Sequence, residues 1–373
     1  MRADVVVVGA GIQGCGVALR LAQAGRAVAV LERSVPGAEA SSAAGGILSP
    51  GVEAAEPGPF YALCRASLAL YADFAKELER LSGLGVGFRA GGTLEVALDD
   101  RIAQLLAARA AKLERAGLPV EVLDGDAARR LEPGLSPQCR GALWFSDEAS
   151  VDPRLLSRAL HIAASKAGAR FVRGHVQGVA ADRDQVIGVD HELGRIETGA
   201  VVIAAGAWTT QVRGHGLPAG AVRPVRGQIA VLDTRPPLLE RVVFSEKGYL
   251  VPRPDGRILA GSTMEEAGFE KAVTAEGLRH LMGLAIEIAP GLAPAPVVET
   301  WSNFRPATPD GEPILGPGPI PGLYYATGHY RNGILLAPIT ALLVAEAVLG
   351  ETPRLDLAPF SPARPSLSRA SPR

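Results

Sequence analysis

The chain has 373 residues, 47% hydrophobic and 21% charged, enough for an extended core across two domains and too apolar for wholesale disorder. Its 38 Lys and Arg nearly cancel 39 Asp and Glu, so no net field draws nucleic acid or an anionic membrane. Cys15, Cys64 and Cys139 form no C-x-x-C pair and read as small apolar fillers of a protein in a reducing, cytoplasmic compartment.

Ala3–Val8 is β-branched and apolar without alternation, as a parallel strand buried on both faces requires, and its interruption at Gly9, Gly11 and Gly14 argues against a signal-peptide core. Helical spacing follows from Ile12 to Ala24, ended by Gly25, and Ala27–Leu31 is a second strand. After a loop over 36–60 rich in Gly, Ala, Ser and Pro, Leu70, Phe74, Leu78 and Leu81 mark a long helix stopped by Gly83. A second amphipathic helix covers 102–116. Asp152-Pro153 is an N-cap with proline at the first helical position, opening a helix to Lys166.

Short β-rich runs then dominate: Arg170–Arg173, Val201–Ala205, Gln228–Leu232, and a hairpin of Tyr249–Pro252 with Arg257–Ala260 turned by Pro254-Asp255-Gly256. A helix over 275–288, a strand Val297–Phe304, a last strand Leu323–Thr327 and a helix over 333–348 follow. The apolar run Ile334–Leu349 holds Pro338 and Glu346 and falls short of the roughly 20 apolar residues that span a bilayer, so no membrane insertion is expected. The tail from Pro359, rich in Pro, Ser and Arg, reads as flexible.

Parallel-type elements at the start, middle and end, with antiparallel-type strands between, predict an α/β (α+β) fold. A Rossmann-type nucleotide domain over 1–82, 141–222 and 302–358 receives a substrate domain over 83–140 and 223–301, built on a mostly antiparallel sheet; 359–373 is the tail.

Gly9-Ala10-Gly11-Ile12-Gln13-Gly14 directly follows the first strand and opens the first helix, and Glu32 ends the second strand near the spacing expected of a ribose ligand. A G-x-G-x-x-G alone is weak; this context raises it above a ligand-free glycine turn. Gly9 makes the turn, Gly11 admits a pyrophosphate close to the backbone, and Gly14 lets helix lie on strand. The helix N-terminus offers unpaired N–H groups to an anion. An acidic residue at 32 suits ribose hydroxyls and repels a 2′-phosphate, which disfavours NADP. The motif leaves FAD and NAD open.

Later segments separate them. Ala40-Ser41-Ser42-Ala43-Ala44-Gly45-Gly46-Ile47-Leu48 is a small-residue loop that lets backbone lie against a flat ring. Val201–Trp208 returns to the first sheet, and Gly328-His329-Tyr330-Arg331-Asn332-Gly333-Ile334-Leu335-Leu336-Ala337-Pro338 precedes the last helix. In order and across nearly the whole chain, these segments and the fingerprint resemble the glycine oxidase branch of the D-amino acid oxidase family. The resemblance implies FAD. It also implies non-covalent binding, because relatives that tether flavin do so through a cysteine in the C-terminal third, and the last cysteine here is Cys139. Cofactor contacts carry over onto Gly9, Gly11, Ile12, Gln13, Gly14, Glu32, Arg33, Ser41, Ser42, Gly45, Gly46, Ile47, Val176 and Gly206. They continue through His329, Tyr330, Arg331, Asn332, Gly333, Ile334 and Leu335, where the last helix directs N–H groups of Gly333 and Ile334 at the flavin's pyrimidine edge. Ala40 stands where glycine oxidase has a threonine.

The resemblance also implies a substrate site. Arg305, in W-S-N-F-R-P, matches a carboxylate clamp, whose parallel charge-assisted bonds are worth about 1.5–3 kcal/mol each; on residues alone a surface ion pair is the commoner reading. Tyr249, opening Y-L-V-P-R, matches the tyrosine whose hydroxyl meets the same carboxylate. Arg331 matches a basic residue near flavin and substrate, and Met264 lines the corresponding pocket. Lys247 replaces a histidine expected at the pocket mouth, which leaves open the side chain the substrate carries. The implied activity is oxidation of glycine or another small amino acid. Hydride passes from Cα to flavin N5, O2 takes the electrons as H2O2, and the imine hydrolyses to a 2-oxo acid. Small amino acid and O2 are then the partners, with no nucleic acid; a homo-oligomer is compatible, and a place in thiamine thiazole synthesis is implied by resemblance alone. A D-amino acid or proline-type dehydrogenase passing electrons to a quinone or carrier has the same FAD motifs, and a non-enzymatic flavin-binding protein is the plainer alternative.

Overall fold

The structure, a computed structural model, describes residues 1–53, 56–182 and 185–368. Val5–Val8 lies inside a six-stranded sheet ordered Ile314–Pro317, Leu323–Thr327, Val201–Ile203, Val5–Val8, Val28–Glu32, Arg170–Arg173. Neighbours run parallel except at the edge, where Ile314–Pro317 turns back on Leu323–Thr327. The period of two along a strand divides the apolar run between two cores. Val5 and Val7 pack with the helices Ile12–Gln23, Pro59–Ser82, Pro153–Lys166 and Ala337–Leu349. Val6 and Val8 pack with a three-stranded antiparallel sheet of Val176–Asp182, Gln185–His191 and Gly194–Glu197. Asp152 accepts from the Arg154 and Leu155 N–H groups at 2.8 and 3.1 Å, and Gly83 ends its helix at φ 82°, as the sequence anticipates.

A second, eight-stranded sheet runs in the order Val297–Ala307, Arg223–Asp233, Arg257–Gly261, Gly248–Pro252, Val242–Ser245, Thr93–Ala97, Gly141–Phe145, Glu121–Asp124. Its pairs are antiparallel apart from Val242–Ser245 with Thr93–Ala97. Helix Ala275–Ile288 buries Leu281, Leu284, Ala285 and Ile288 on one face of this sheet. The opposite face carries Ile229, Val251 and Tyr249 beside Ile47 of the other sheet's loops.

Four expectations change. Gly141–Phe145, assigned by segment to the nucleotide domain, is hydrogen-bonded into the eight-stranded sheet. The loop over 36–60 contains the short helices Ala40–Ala43 and Pro50–Glu53 and a strand Ile47–Leu48 paired with Ala149–Ser150; residues 54 and 55 lie outside the described residues. The last helix starts at Ala337, and 333–336 is a turn. There the Ile334 carbonyl accepts the Tyr71 hydroxyl and the Leu335 carbonyl accepts the Ser67 hydroxyl at 2.6 Å, which ties those carbonyls to the long helix. The tail is packed over 359–368, with Phe360 and Leu367 buried; residues 369–373 lie outside the described residues. Among the described residues no helix is long and apolar enough to cross a membrane, and no group of His, Cys, Asp and Glu could hold a metal ion.

Candidate active site

The first helix opens without a side-chain cap at Gly11, and its first turn faces a cavity. Gly9, Gly11, Ile12 and Gln13 line that cavity with Glu32 and Arg33 from the end of the second strand. Ser41, Gly45, Gly46, Ile47, Val176, Gly206 and the run His329 to Ile334 complete this part of the wall. Gly14 is buried behind it. A Cβ there would lie 1.9 Å from the Gly9 carbonyl oxygen, so glycine permits the close helix–turn approach. Ser42 and Leu335, expected at the cofactor, do not line the cavity; Leu335 points into the helical core.

Local bonds hold the wall in place. The Ile12 N–H donates to the Ser41 hydroxyl at 2.9 Å, and Glu32 accepts the N–H groups of Ala10 and Ser34, each at 2.9 Å. Gln13 donates from Nε2 to the Gly333 carbonyl at 2.7 Å, while its Oε1 is buried without a protein partner. The Arg33 guanidinium lies 4.0 Å over the Trp208 ring and pairs with Glu39 at 3.1 Å. Buried Arg253 donates to the carbonyls of Gly45 (2.9 Å) and Val151 (3.0 Å), fixing the small-residue loop. His329 is buried with Nε2 3.0 Å from the Thr340 hydroxyl; burial lowers its pKa to about 3, which keeps the ring neutral.

Arg305 and Tyr249 enter the same cavity from the eight-stranded sheet. Arg305 donates to the carbonyls of Thr263 (3.1 Å) and Arg226 (3.4 Å) and to the Ser262 hydroxyl (2.5 Å). These acceptors are neutral. A Cβ at Gly227 would come 2.3 Å from Arg305 Nη1, so the missing side chain is what makes room for the guanidinium. The Tyr249 ring sits between Gly45 and Gly261, edge-on to Phe244 at 5.5 Å. Arg331 lines the cavity but is held by Glu53 at 2.9 Å, whose carboxylate raises its pKa further.

Two expected neighbours are elsewhere. Met264 is exposed and outside the lining, its sulfur accepting from the Tyr330 hydroxyl at 3.4 Å. Lys247 is paired with Glu287 at 2.7 Å in a turn outside the cavity, so it gives no purchase on the substrate side chain. Trp208, Glu53, Gly227, Ser262 and Asn303 line the cavity without having been singled out. Only Trp208, at the end of A-A-G-A-W after a buried strand, carried a local signal.

The helix N-terminus opening on the cavity, the orphaned Gln13 Oε1 and the glycine-rich wall fit a dinucleotide carrying a flat ring. The profile of the FAD dependent oxidoreductase family matches residues 4–347. The chain belongs to that family. This FAD-dependent oxidoreductase is 35% identical to glycine oxidase from Geobacillus kaustophilus over 364 residues, covering 96% of each protein. The crystal structure of glycine oxidase from that organism superposes with a TM-score of 0.92 at 36% identity, over 97% of this chain and 99% of the other. The chain is also 37% identical over 369 residues to the bifunctional protein ThiO/ThiG of a Synechocystis strain, covering 97% of this chain and 54% of that protein. It thus spans about half the length of the first curated relatives it matches.

Proposed function

We propose that this oxidoreductase oxidises glycine or another small amino acid, with O2 as the final electron acceptor, giving H2O2 and, after hydrolysis, a 2-oxo acid. The observation that carries the reading is Arg305. Among the described residues, cavity-lining Arg33 and Arg331 each have a carboxylate partner, whereas Arg305 has only neutral acceptors. An uncompensated guanidinium on a cavity wall suits a substrate carboxylate held by two parallel bonds. Tyr249 places a hydroxyl donor on the same cavity, and the neighbouring Arg331–Glu53 pair leaves little net charge of its own.

FAD supplies a two-electron acceptor. Glu32 would meet its ribose, the N-terminus of Ile12–Gln23 its pyrophosphate, and the turn at Gly333 and Ile334 the polar edge of its ring. None of Cys15, Cys64 and Cys139 lines the cavity, which supports non-covalent binding; as free, buried thiols they also accord with a cytoplasmic protein. Orientation of the substrate's Cα–H then falls to Arg305 and Tyr249, since positioning is the main demand of amine oxidation. Relatives named ThiO/ThiG support a place in supplying the thiazole of thiamine.

The test mixes flavin-loaded protein anaerobically with glycine, sarcosine, D-alanine, D-proline and an L-amino acid, then admits air. Bleaching of the flavin band followed by fast recovery with H2O2 release is expected; slow recovery would instead indicate a dehydrogenase, and no bleaching would sink the small amino acid assignment. Arg305→Ala should lower kcat/KM by the equivalent of about 3–5 kcal/mol without loss of flavin. A value within tenfold of wild type would remove Arg305 from the site.

A further inference from the structure

Arg305 owes its position in part to a polar cluster that lies behind the cavity wall. Its acceptors belong to residues 226, 262 and 263. One side chain ties two of them, Arg226 and Thr263, together: Glu265. Its Oε2 accepts from Arg226 Nε at 3.0 Å and from Arg226 Nη2, while Oε1 accepts from Gln228 Nε2 at 2.7 Å and from the Thr263 hydroxyl. The backbones of Arg226 and Glu265 exchange N–H···O bonds of 2.9 and 3.0 Å, so the Arg226 carbonyl that receives Arg305 also receives the Glu265 N–H. Thr263 completes the frame by accepting the Gln228 N–H at 2.9 Å. Gln228 is wholly buried, and its Oε1 accepts the Thr274 N–H at 2.9 Å under the start of helix Ala275–Ile288.

We infer that Glu265 is the positioning residue of the carboxylate clamp, holding Arg226 and Thr263, whose carbonyls aim the Arg305 guanidinium into the cavity. The inference rests on reading Arg305 as that clamp. Charge is part of the device. Arg226, only 6% exposed, would otherwise be a second uncompensated guanidinium, and Glu265 neutralises it. Burial acts to raise the Glu265 pKa, but the bonds from Thr263, Arg226 and Gln228 hold it below the usual carboxylate range, so the group stays ionised. A carboxylate satisfies four donors here; an amide offers one oxygen and sets its own N–H groups against at least one of them.

A double-mutant cycle on the FAD-loaded protein tests this, with acetate as carboxylate probe, titrated by perturbation of the flavin spectrum at constant ionic strength. Glu265→Gln is expected to weaken acetate about tenfold and raise substrate KM more than it lowers kcat, with flavin retained. In the Arg305→Ala background the same change should weaken acetate no further. Should Glu265→Gln fail to fold, Thr263→Ala removes one strut and is expected to weaken acetate a few-fold, again only when Arg305 is present. Unchanged acetate affinity in Glu265→Gln, or an equal loss with and without Arg305, overturns the positioning role. If Arg305→Ala leaves acetate affinity intact, or wild type binds no acetate, the clamp reading fails first and the inference falls with it.

Discussion

An alanine at position 227 would place its methyl carbon 2.3–2.5 Å from the Arg305 guanidinium atoms, far inside contact distance. Gly227 lies on the strand Arg223–Asp233 opposite Asn303, two residues from Arg305 on the facing strand. Gly227→Ala should therefore push the guanidinium off its acceptors and raise substrate KM about 10- to 100-fold, an effect of roughly 1–3 kcal/mol, with the flavin spectrum unchanged. Steady-state kinetics on flavin-saturated protein decide it; a KM within twofold of wild type would mean the guanidinium has another place to go. Tyr330 shows the opposite use of backbone. Among the described residues it is the non-glycine residue with positive φ, at 46°, held by its N–H to the Pro306 carbonyl at 3.0 Å. A left-handed tyrosine there is backbone strain held on the cavity wall.

The short helix Pro50–Glu53 is too small to stand alone and is pinned from outside. Glu148, 1% exposed, accepts the Gly51 N–H at 2.6 Å beside the Ser49–Thr93 hydroxyl pair (2.7 Å), joining the helix to the strand Thr93–Ala97. Burial raises the Glu148 pKa to about 8 against these bonds, which act to lower it. The folded protein thus keeps a proton that the unfolded chain releases above about pH 4.5. The stability this proton contributes is complete below that pH and is lost as pH rises toward about 8. Glu148→Gln, which keeps an acceptor and cannot ionise, should gain on wild type across that window, by a few kcal/mol in total at about 1.4 kcal/mol per unit. Chemical denaturation at pH 5 and pH 8 measures the difference; equal gaps at both would show that Glu148 ionises freely in the fold.

At the scale of the whole molecule, the C-terminal segment straps both sides of the first sheet. Phe360 joins the helical core and Leu367 the core on the opposite face, so the chain wraps past the edge strand Ile314–Pro317. Arg364, its side chain 7% exposed, fastens the strap to Asp310 at 2.7 Å and to the carbonyls of Glu312 and Pro313. Burial alone would raise the Asp310 pKa, but Arg364 and Ser366 hold it down to about 2. That contribution is present above the ordinary carboxylate pKa and disappears as pH falls through about 2. Arg364→Ala should cost about 2–3 kcal/mol and several degrees of Tm at neutral pH, leaving Asp310 without its buried partner. Thermal melts would read it, and an unchanged Tm would make the strap ornamental.

Short-range physics made much of the plan legible. A short β-branched run of four valines reads as a buried strand, Asp152-Pro153 starts a helix, and Gly83 ends one; each depends on neighbours within a few residues. Gly9, Gly11 and Glu32 likewise come from one contiguous βαβ unit, and they lie where that unit places them, on one cavity. What stayed hidden depended on partners far along the chain. Gly141–Phe145 joins the second sheet because Thr93–Ala97 and Glu121–Asp124 take its backbone bonds. The last helix starts late because Tyr71 and Ser67 reach across more than 260 positions to its would-be first carbonyls. A tail of Pro, Ser and Arg is ordered by Phe360, Leu367 and Arg364 finding cores and a carboxylate already built. Lys247 sits close in sequence to Tyr249 yet points away, toward Glu287, and Met264 is exposed, meeting the cavity wall only through the Tyr330 hydroxyl. The chain alone thus determined the elements that carry their own start and stop signals, and the βαβ unit with its glycine fingerprint. Which side chains face the cavity, and which guanidinium keeps its charge uncompensated, was decided only by sheet register and long-range pairing, because a side chain's direction is set by the strand it faces.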